Sequence, residues 1–187
     1  MQLLDGSLGA TLARRTLTLG GLAAATVVAL LTSPLWVTAS LARDGLARDA
    51  RLPRLRSAAL LAWLVVCEVL GVVGATWVWL RHGLGHGAAH HAANVALQRW
   101  WTDLVFAGAC RLLRLRVEVE GVERAVPGPV IVFVRHTSFA DALIAAATVA
   151  NRHRLELRYV LKRELRWGPC LDIVGGRLHN VFVSRSA

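Results

Sequence analysis

The chain has 187 residues, of which 55% are hydrophobic and only 18% charged, and it carries a net charge of +10. Soluble domains usually hold about 25% charged residues, so this composition excludes a disordered tail, a collagen and a disulfide-rich secreted module, and points to a membrane protein with its apolar excess in blocks. All of the basic residues but Lys162 are arginine, a balance that suits anionic head groups, nucleic acid or phosphorylated substrates, with the apolar blocks favouring lipid. The three cysteines, Cys67, Cys110 and Cys170, are widely spaced. They give neither a metal-binding pattern nor a disulfide framework, and a reducing compartment fits them best.

The first apolar block, residues 16–42, contains no charge. As one helix it extends roughly 40 Å, against a bilayer core of about 30 Å, so it spans with tilt. A secretory signal is the rival reading, but the block exceeds the usual 7–15 residues and no small-x-small cleavage site ends it. The second block, residues 57–80, holds one charge, Glu68, and places Trp77 and Trp79 at one end, as an aromatic belt does. An intramembrane carboxylate is costly. Glu68 is read as protonated or facing a neighbouring helix rather than as a functional group.

Between the blocks, RDGLARDARLPRLR carries five arginines (Arg43, Arg48, Arg51, Arg54 and Arg56). After them, residues 81–91 read as a His/Gly linker. His82, His86 and His90 are spaced by four, as helical metal ligands are, but Gly83, Gly85 and Gly87 interrupt them and no carboxylate or cysteine joins, so no metal site is expected. These segments form an N-terminal anchor, residues 1–91.

A second part, residues 92–187, opens with helical periodicity from Ala92 to Leu113: Leu97, Trp101, Leu104, Val105, Gly108 and Leu112 recur at steps of three and four, with Asn94, Gln98, Arg99, Thr102 and Asp103 largely on another side. An interfacial membrane helix and an ordinary domain helix fit equally. LRVEVEG then alternates like a half-exposed strand, ERAVPGP is a turn, and VIVFV (residues 130–134) reads as a buried strand. Residues 138–149 predict a helix; residues 157–161 and 180–183 predict two more strands. Strands alternating with helices give an α/β class.

The chemistry lies in VIVFVRHTSFADAL. His136 stands at the mouth of the predicted strand and Asp141 in the first turn of the predicted helix. Such a turn lets a carboxylate fix one imidazole nitrogen while the other takes a proton from a substrate hydroxyl. The plain alternative is that Ser138 and Asp141 make a helix cap and His136 merely ends a strand.

Residues 117–141, VEVEGVERAVPGPVIVFVRHTSFAD, resemble the first block of the glycerolipid acyltransferases, especially the 1-acyl-sn-glycerol-3-phosphate acyltransferases, where V-x-V-x-G-x-E and G-P-x-I-x-V strands lead into N-H-x-x-x-x-D. YVLKRELRWGPCLDIVGGRLHNVFVSR is similar to that family's K-x-E-L-x-x-x-P segment and its second block, G-x-I-F-I-D-R. The resemblance implies an acyltransferase-like mixed sheet with flanking helices behind a two-helix anchor. It implies fatty acyl transfer from acyl-CoA or acyl-carrier protein to the hydroxyl of lysophosphatidic acid or a related lysolipid. His136 is then the general base and Asp141 its orienting partner. Arg185 aligns with the second-block Arg on the acceptor phosphate, Lys162 is a further phosphate candidate or else pairs with Glu164, and Arg135 replaces the family's Asn. No cofactor beyond the acyl donor, no metal and no nucleic-acid partner is implied; the partners are membrane lipids, the donor and the lysolipid.

His179 and Ser184 replace the second block's Gly and Asp, so another acceptor, an amino-acid lipid or a glycolipid, is an alternative. The family's third block, E-G-T-R, does not follow Arg185, so a fragment is expected, and a non-catalytic lipid-binding remnant is the alternative from another class. The expected location is a bacterial-type inner membrane with the catalytic part facing the cytoplasm. The positive-inside rule puts the arginine-rich loop in the cytoplasm and both chain ends outside; a shallow hairpin that does not fully cross reconciles this with a cytosolic thioester.

Overall fold

The computed structural model describes residues 6–83, 87–126, 129–134 and 141–184, with Asp141 and Ala142 described in backbone only. The chain is mostly helical. In order come α1 (Leu8–Leu31), α2 (Ser33–Leu46), α3 (Pro53–His82), α4 (Ala88–Leu113), a 3₁₀ turn (Val122–Ala125), α5 (Asp141–Ala145) running into a π-helical segment (Ala146–Ala150), β1 (Val160–Lys162), a 3₁₀ turn (Arg163–Trp167), α6 (Pro169–Arg177) and β2 (Val181–Val183).

The first apolar block is two helices rather than one. Pro34 has no N–H to give Leu30 and its ring crowds that carbonyl, so α1 stops at Leu31 and α2 starts at Ser33. The Ser33 hydroxyl donates to the Leu30 carbonyl instead, at 2.7 Å. α1 also starts earlier than the apolar block does. Ser7 caps it, accepting from the Ala10 N–H at 3.3 Å, so Arg14 and Arg15 lie inside the helix. α1 and α3 are both long and apolar enough to cross a membrane. Their large apolar side chains, among them Leu17, Val27, Leu30, Leu61, Val73 and Trp77, are exposed, and a continuous apolar surface of this kind suits lipid.

Residues fall into two compact units. One comprises residues 1–34, 65–97 and 158–187. Its core includes a stripe of small side chains on α3, Cys67, Gly71, Ala75 and Val78, with Val95 and Leu97 of α4 and Cys170, Val174 and Leu178 from the α6 region. The stripe follows helical spacing, and small residues let neighbours approach closely: a Cβ on Gly74 would stand 2.6 Å from Leu97 Cδ1. β1 and β2 belong to this unit and pair in parallel, Val160 with Val181, Leu161 with Phe182 and Lys162 with Val183. Asn180 prepares the pairing by accepting from the Tyr159 N–H at 2.9 Å.

The other unit comprises residues 35–64 and 98–157. Asp44, fully buried, ties the end of α2 to the start of α3. Its carboxylate accepts from the backbone N–H groups of Leu55 (3.0 Å) and Arg54 (3.3 Å), two free donors of the first turn of α3, and from the Arg54 guanidinium (3.3 Å). Burial raises the pKa of Asp44, but these three donors lower it by more, so it lies below its ordinary value. The connection needs such a hold. Leu52 takes φ 51° immediately before Pro53, a conformation costly for a branched residue. Farther along, Gly108 of α4 lies under the Trp63 indole of α3, where a Cβ would fall 1.8 Å from Nε1.

Two predicted strands do not form. Residues 115–121 and 130–134 are irregular, and Ile131 and Phe133 are 83% and 91% exposed, so VIVFV is not a buried strand. A β-rich run becomes a strand only when another chain segment completes its hydrogen bonds, and among the described residues only β1 and β2 pair. The other two predicted strands correspond to β1, shifted by a residue or more towards Lys162, and to β2. The predicted mixed sheet is thus a two-stranded parallel sheet in a mostly helical chain.

Candidate functional site

Arg135 and His136, and also Arg185, lie outside the described residues, as does the start of the helix predicted from Ser138. Within them, α5 covers Asp141–Ala145, so Asp141 lies on a helix. The helix continues through its π-helical segment to Asn151, which anchors it. The Asn151 amide donates to the Arg99 carbonyl (3.2 Å), Thr102 Oγ1 (3.0 Å) and Asp103 Oδ1 (2.7 Å) of α4. Arg99 reciprocates, its guanidinium donating to the carbonyls of Arg154 and Leu155. Arg99, Thr102 and Asp103 are the polar side seen in the periodicity of α4. That side is a docking face for the segment following α5, as in an ordinary domain helix.

The glycine of the V-x-V-x-G-x-E pattern has a visible purpose. Gly121 takes φ 72° as the chain enters the 3₁₀ turn 122–125, a left-handed conformation that glycine adopts without strain.

Lys162 closes β1 and is exposed. No ion pair with Glu164 forms among the described residues. Its register partner is Val183, two residues before Arg185. Lys162 thus stands at the carboxyl end of a parallel strand, where open sheets commonly bind ligands. His179, which stands where the family has Gly, packs its ring 5.4 Å from that of His91 in the first turns of α4.

Glu68 faces a neighbour, one of the two readings its sequence position gave: its Oε2 accepts from the Cys170 N–H at 3.0 Å, at the start of α6. A carboxylate there satisfies one of the free N-terminal donors and complements the helix dipole. Burial first, and then the adjacent Glu68 and Cys67, push the Cys170 thiol up, so it stays protonated and unreactive. Asp172 of α6 is 1% exposed and accepts from three guanidinium groups: Arg14 (2.8 Å), Arg15 (3.0 Å) and Arg166 (3.0 Å). Only the accumulation of arginine hinted at this. A separate open groove in the unit that holds most of α2 is lined by Trp36, Ser40, Arg43, Arg54 and Ser57, among others.

Residues 116–187 match the family model described as Acyltransferase. This segment is similar to the acyltransferases. It contains His136, Asp141, Lys162 and Arg185, together with β1, α6 and β2. No curated protein and no solved structure matches the chain.

Proposed function

We propose that the protein is a membrane-bound acyltransferase of phospholipid biosynthesis, of the 1-acylglycerol-3-phosphate type. The acyl group passes from acyl-CoA or acyl-carrier protein to the free hydroxyl of lysophosphatidic acid or a related lysolipid. The observation that carries this reading is the match over 116–187, which contains H-x-x-x-x-D at 136–141 followed in order by Lys162 and Arg185. Within this proposal, β1 and β2 belong to the mixed sheet of such a domain, and the exposed apolar faces of α1 and α3 hold it at the membrane.

In the mechanism, neutral His136 takes the proton of the acceptor hydroxyl as the oxygen attacks the thioester carbonyl. Asp141 holds the other ring nitrogen and balances the charge of the imidazolium. The tetrahedral intermediate expels the thiolate, and His136 returns the proton to sulfur. An ester and a free thiol leave, and no further cofactor takes part. Lys162, Arg185 and Arg135 contribute positive charge for the acceptor phosphate, with the arginines suited to bidentate contact. The catalytic part faces the cytoplasm, where the thioester is found.

The test is turnover of His136→Ala in membranes, with lysophosphatidic acid and acyl-CoA. A loss of about 10²–10⁴-fold with unchanged folding is expected for removal of a general base. Retained turnover would sink the assignment. Running lysolipids with glycerol, amino-acid and sugar head groups side by side decides the acceptor.

A further inference from the structure

Asp172 is surrounded by more positive charge than it can balance. Arg14 is fully buried and donates through Nη2. Arg15 and Arg166 each donate through Nε alone, the first to Oδ2 and the second to Oδ1. Among the described residues, neither Arg15 nor Arg166 makes a hydrogen bond through its Nη groups. Those two side chains are 38% and 20% exposed, so their outer edges reach the surface while their Nε edges are locked. Arg166 is held further by Phe182, whose ring centroid lies 5.6 Å from its Cζ. A fourth cation is near: Arg177 donates to the Ala75 carbonyl at 2.8 Å, and burial together with the charge of Arg15 pulls its pKa below the ordinary value.

One carboxylate therefore faces three guanidinium groups, with a fourth beside them. Clustered like charges that are partly removed from water are costly unless an anion completes the set. Two guanidinium groups fixed by Nε and offering their Nη edges are preorganised donors for an oxyanion with several acceptors, the geometry in which arginine binds phosphate. The position narrows the source. Arg14 and Arg15 immediately precede the uncharged run beginning at Thr16, the depth at which a spanning helix meets lipid head groups.

We propose that Arg15 and Arg166, positioned by Asp172, form a binding site for a phosphate group, that of an anionic phospholipid head group at the membrane surface. The site joins the first apolar helix to the acyltransferase segment. It does not depend on the acyl-transfer reading, and its test uses no turnover.

The test takes the full chain in detergent micelles and follows its Tm with inorganic phosphate, sn-glycerol 3-phosphate, phosphatidic acid and phosphatidylcholine, at fixed ionic strength with chloride as reference. Phosphatidic acid should raise the Tm and phosphatidylcholine should not. Protection by inorganic phosphate or sn-glycerol 3-phosphate as well shows that the phosphate alone suffices; protection by phosphatidic acid only shows that the lipid is required. The double variant Arg15→Gln/Arg166→Gln should bind phosphatidic acid at least tenfold more weakly, whereas Arg51→Gln in the loop between α2 and α3 should bind it as the wild type does. Equal binding by a folded double variant overturns the site. If that variant does not fold, the wild type decides. A Tm no higher in phosphatidic acid than in phosphatidylcholine, and no higher in phosphate than in chloride, also overturns it.

Discussion

Replacing Asp172 by alanine should be among the most damaging single changes in the chain. The carboxylate is buried and serves three guanidinium groups at 2.8–3.0 Å, of which Arg14 is fully buried. Removing one partner of a buried pair leaves an uncompensated charge and costs about 3–5 kcal/mol. The Arg14 contact carries most of this. Arg166 adds a charge-assisted bond, and the contact to Arg15, more than a third exposed, contributes about 1 kcal/mol at most. Against a total stability of about 5–15 kcal/mol, this is a large fraction. The assay is unfolding of the full chain in mixed micelles, followed by far-UV circular dichroism, for wild type, Asp172→Ala, Arg14→Met and the double variant Arg14→Met/Asp172→Leu. The double variant should recover at least 2 kcal/mol relative to Asp172→Ala, because it removes the buried charge along with its partner and fills the space. The reasoning is refuted if Asp172→Ala costs less than about 1 kcal/mol, or if the double variant is as unstable as the sum of its parts.

The Asp44 link between α2 and α3 predicts acid sensitivity. Its folded pKa lies below the ordinary 3.8, so its contribution is complete at neutral pH and disappears as pH falls through the folded value. Asp44→Asn should lower the Tm at pH 7 and flatten its dependence below about pH 4; an unchanged acid limb would contradict the capping role. Glu68→Leu leaves the buried N–H of Cys170 without an acceptor and should cost about 1–3 kcal/mol in the same unfolding assay, whereas Glu68→Gln keeps an acceptor and should cost clearly less. Equal losses would show that the charge, and not the hydrogen bond, matters. Gly108→Ala puts a methyl into the Trp63 indole and should destabilise by about 1–3 kcal/mol despite the better helix propensity of alanine. A stabilised variant would mean that the indole moves aside freely.

The apolar character of α1 and α3, most of the helix expected from Ala92 and the ordered motifs were legible in the sequence, because each rests on local order along one chain; the break at Pro34 and the helical turn from Ala88 to His91, expected as linker, were not. Long runs with at most one charge marked the apolar blocks, periodicity of three and four marked α4, and ordered motifs from Val117 to Arg185 carried the acyltransferase resemblance. The tertiary structure decided what those residues meet. The lone Glu68 became a cap for α6, the polar side of α4 became the dock for Asn151, and Arg14 went from a flanking charge to a buried partner of Asp172, 158 positions away. VIVFV shows the same limit from the other side: its β-branched pattern was unmistakable, yet it forms no strand. Local propensity resides in the side chains themselves, whereas a ladder, a cap or an ion pair needs a second segment, and only the folded chain determines which segment that is.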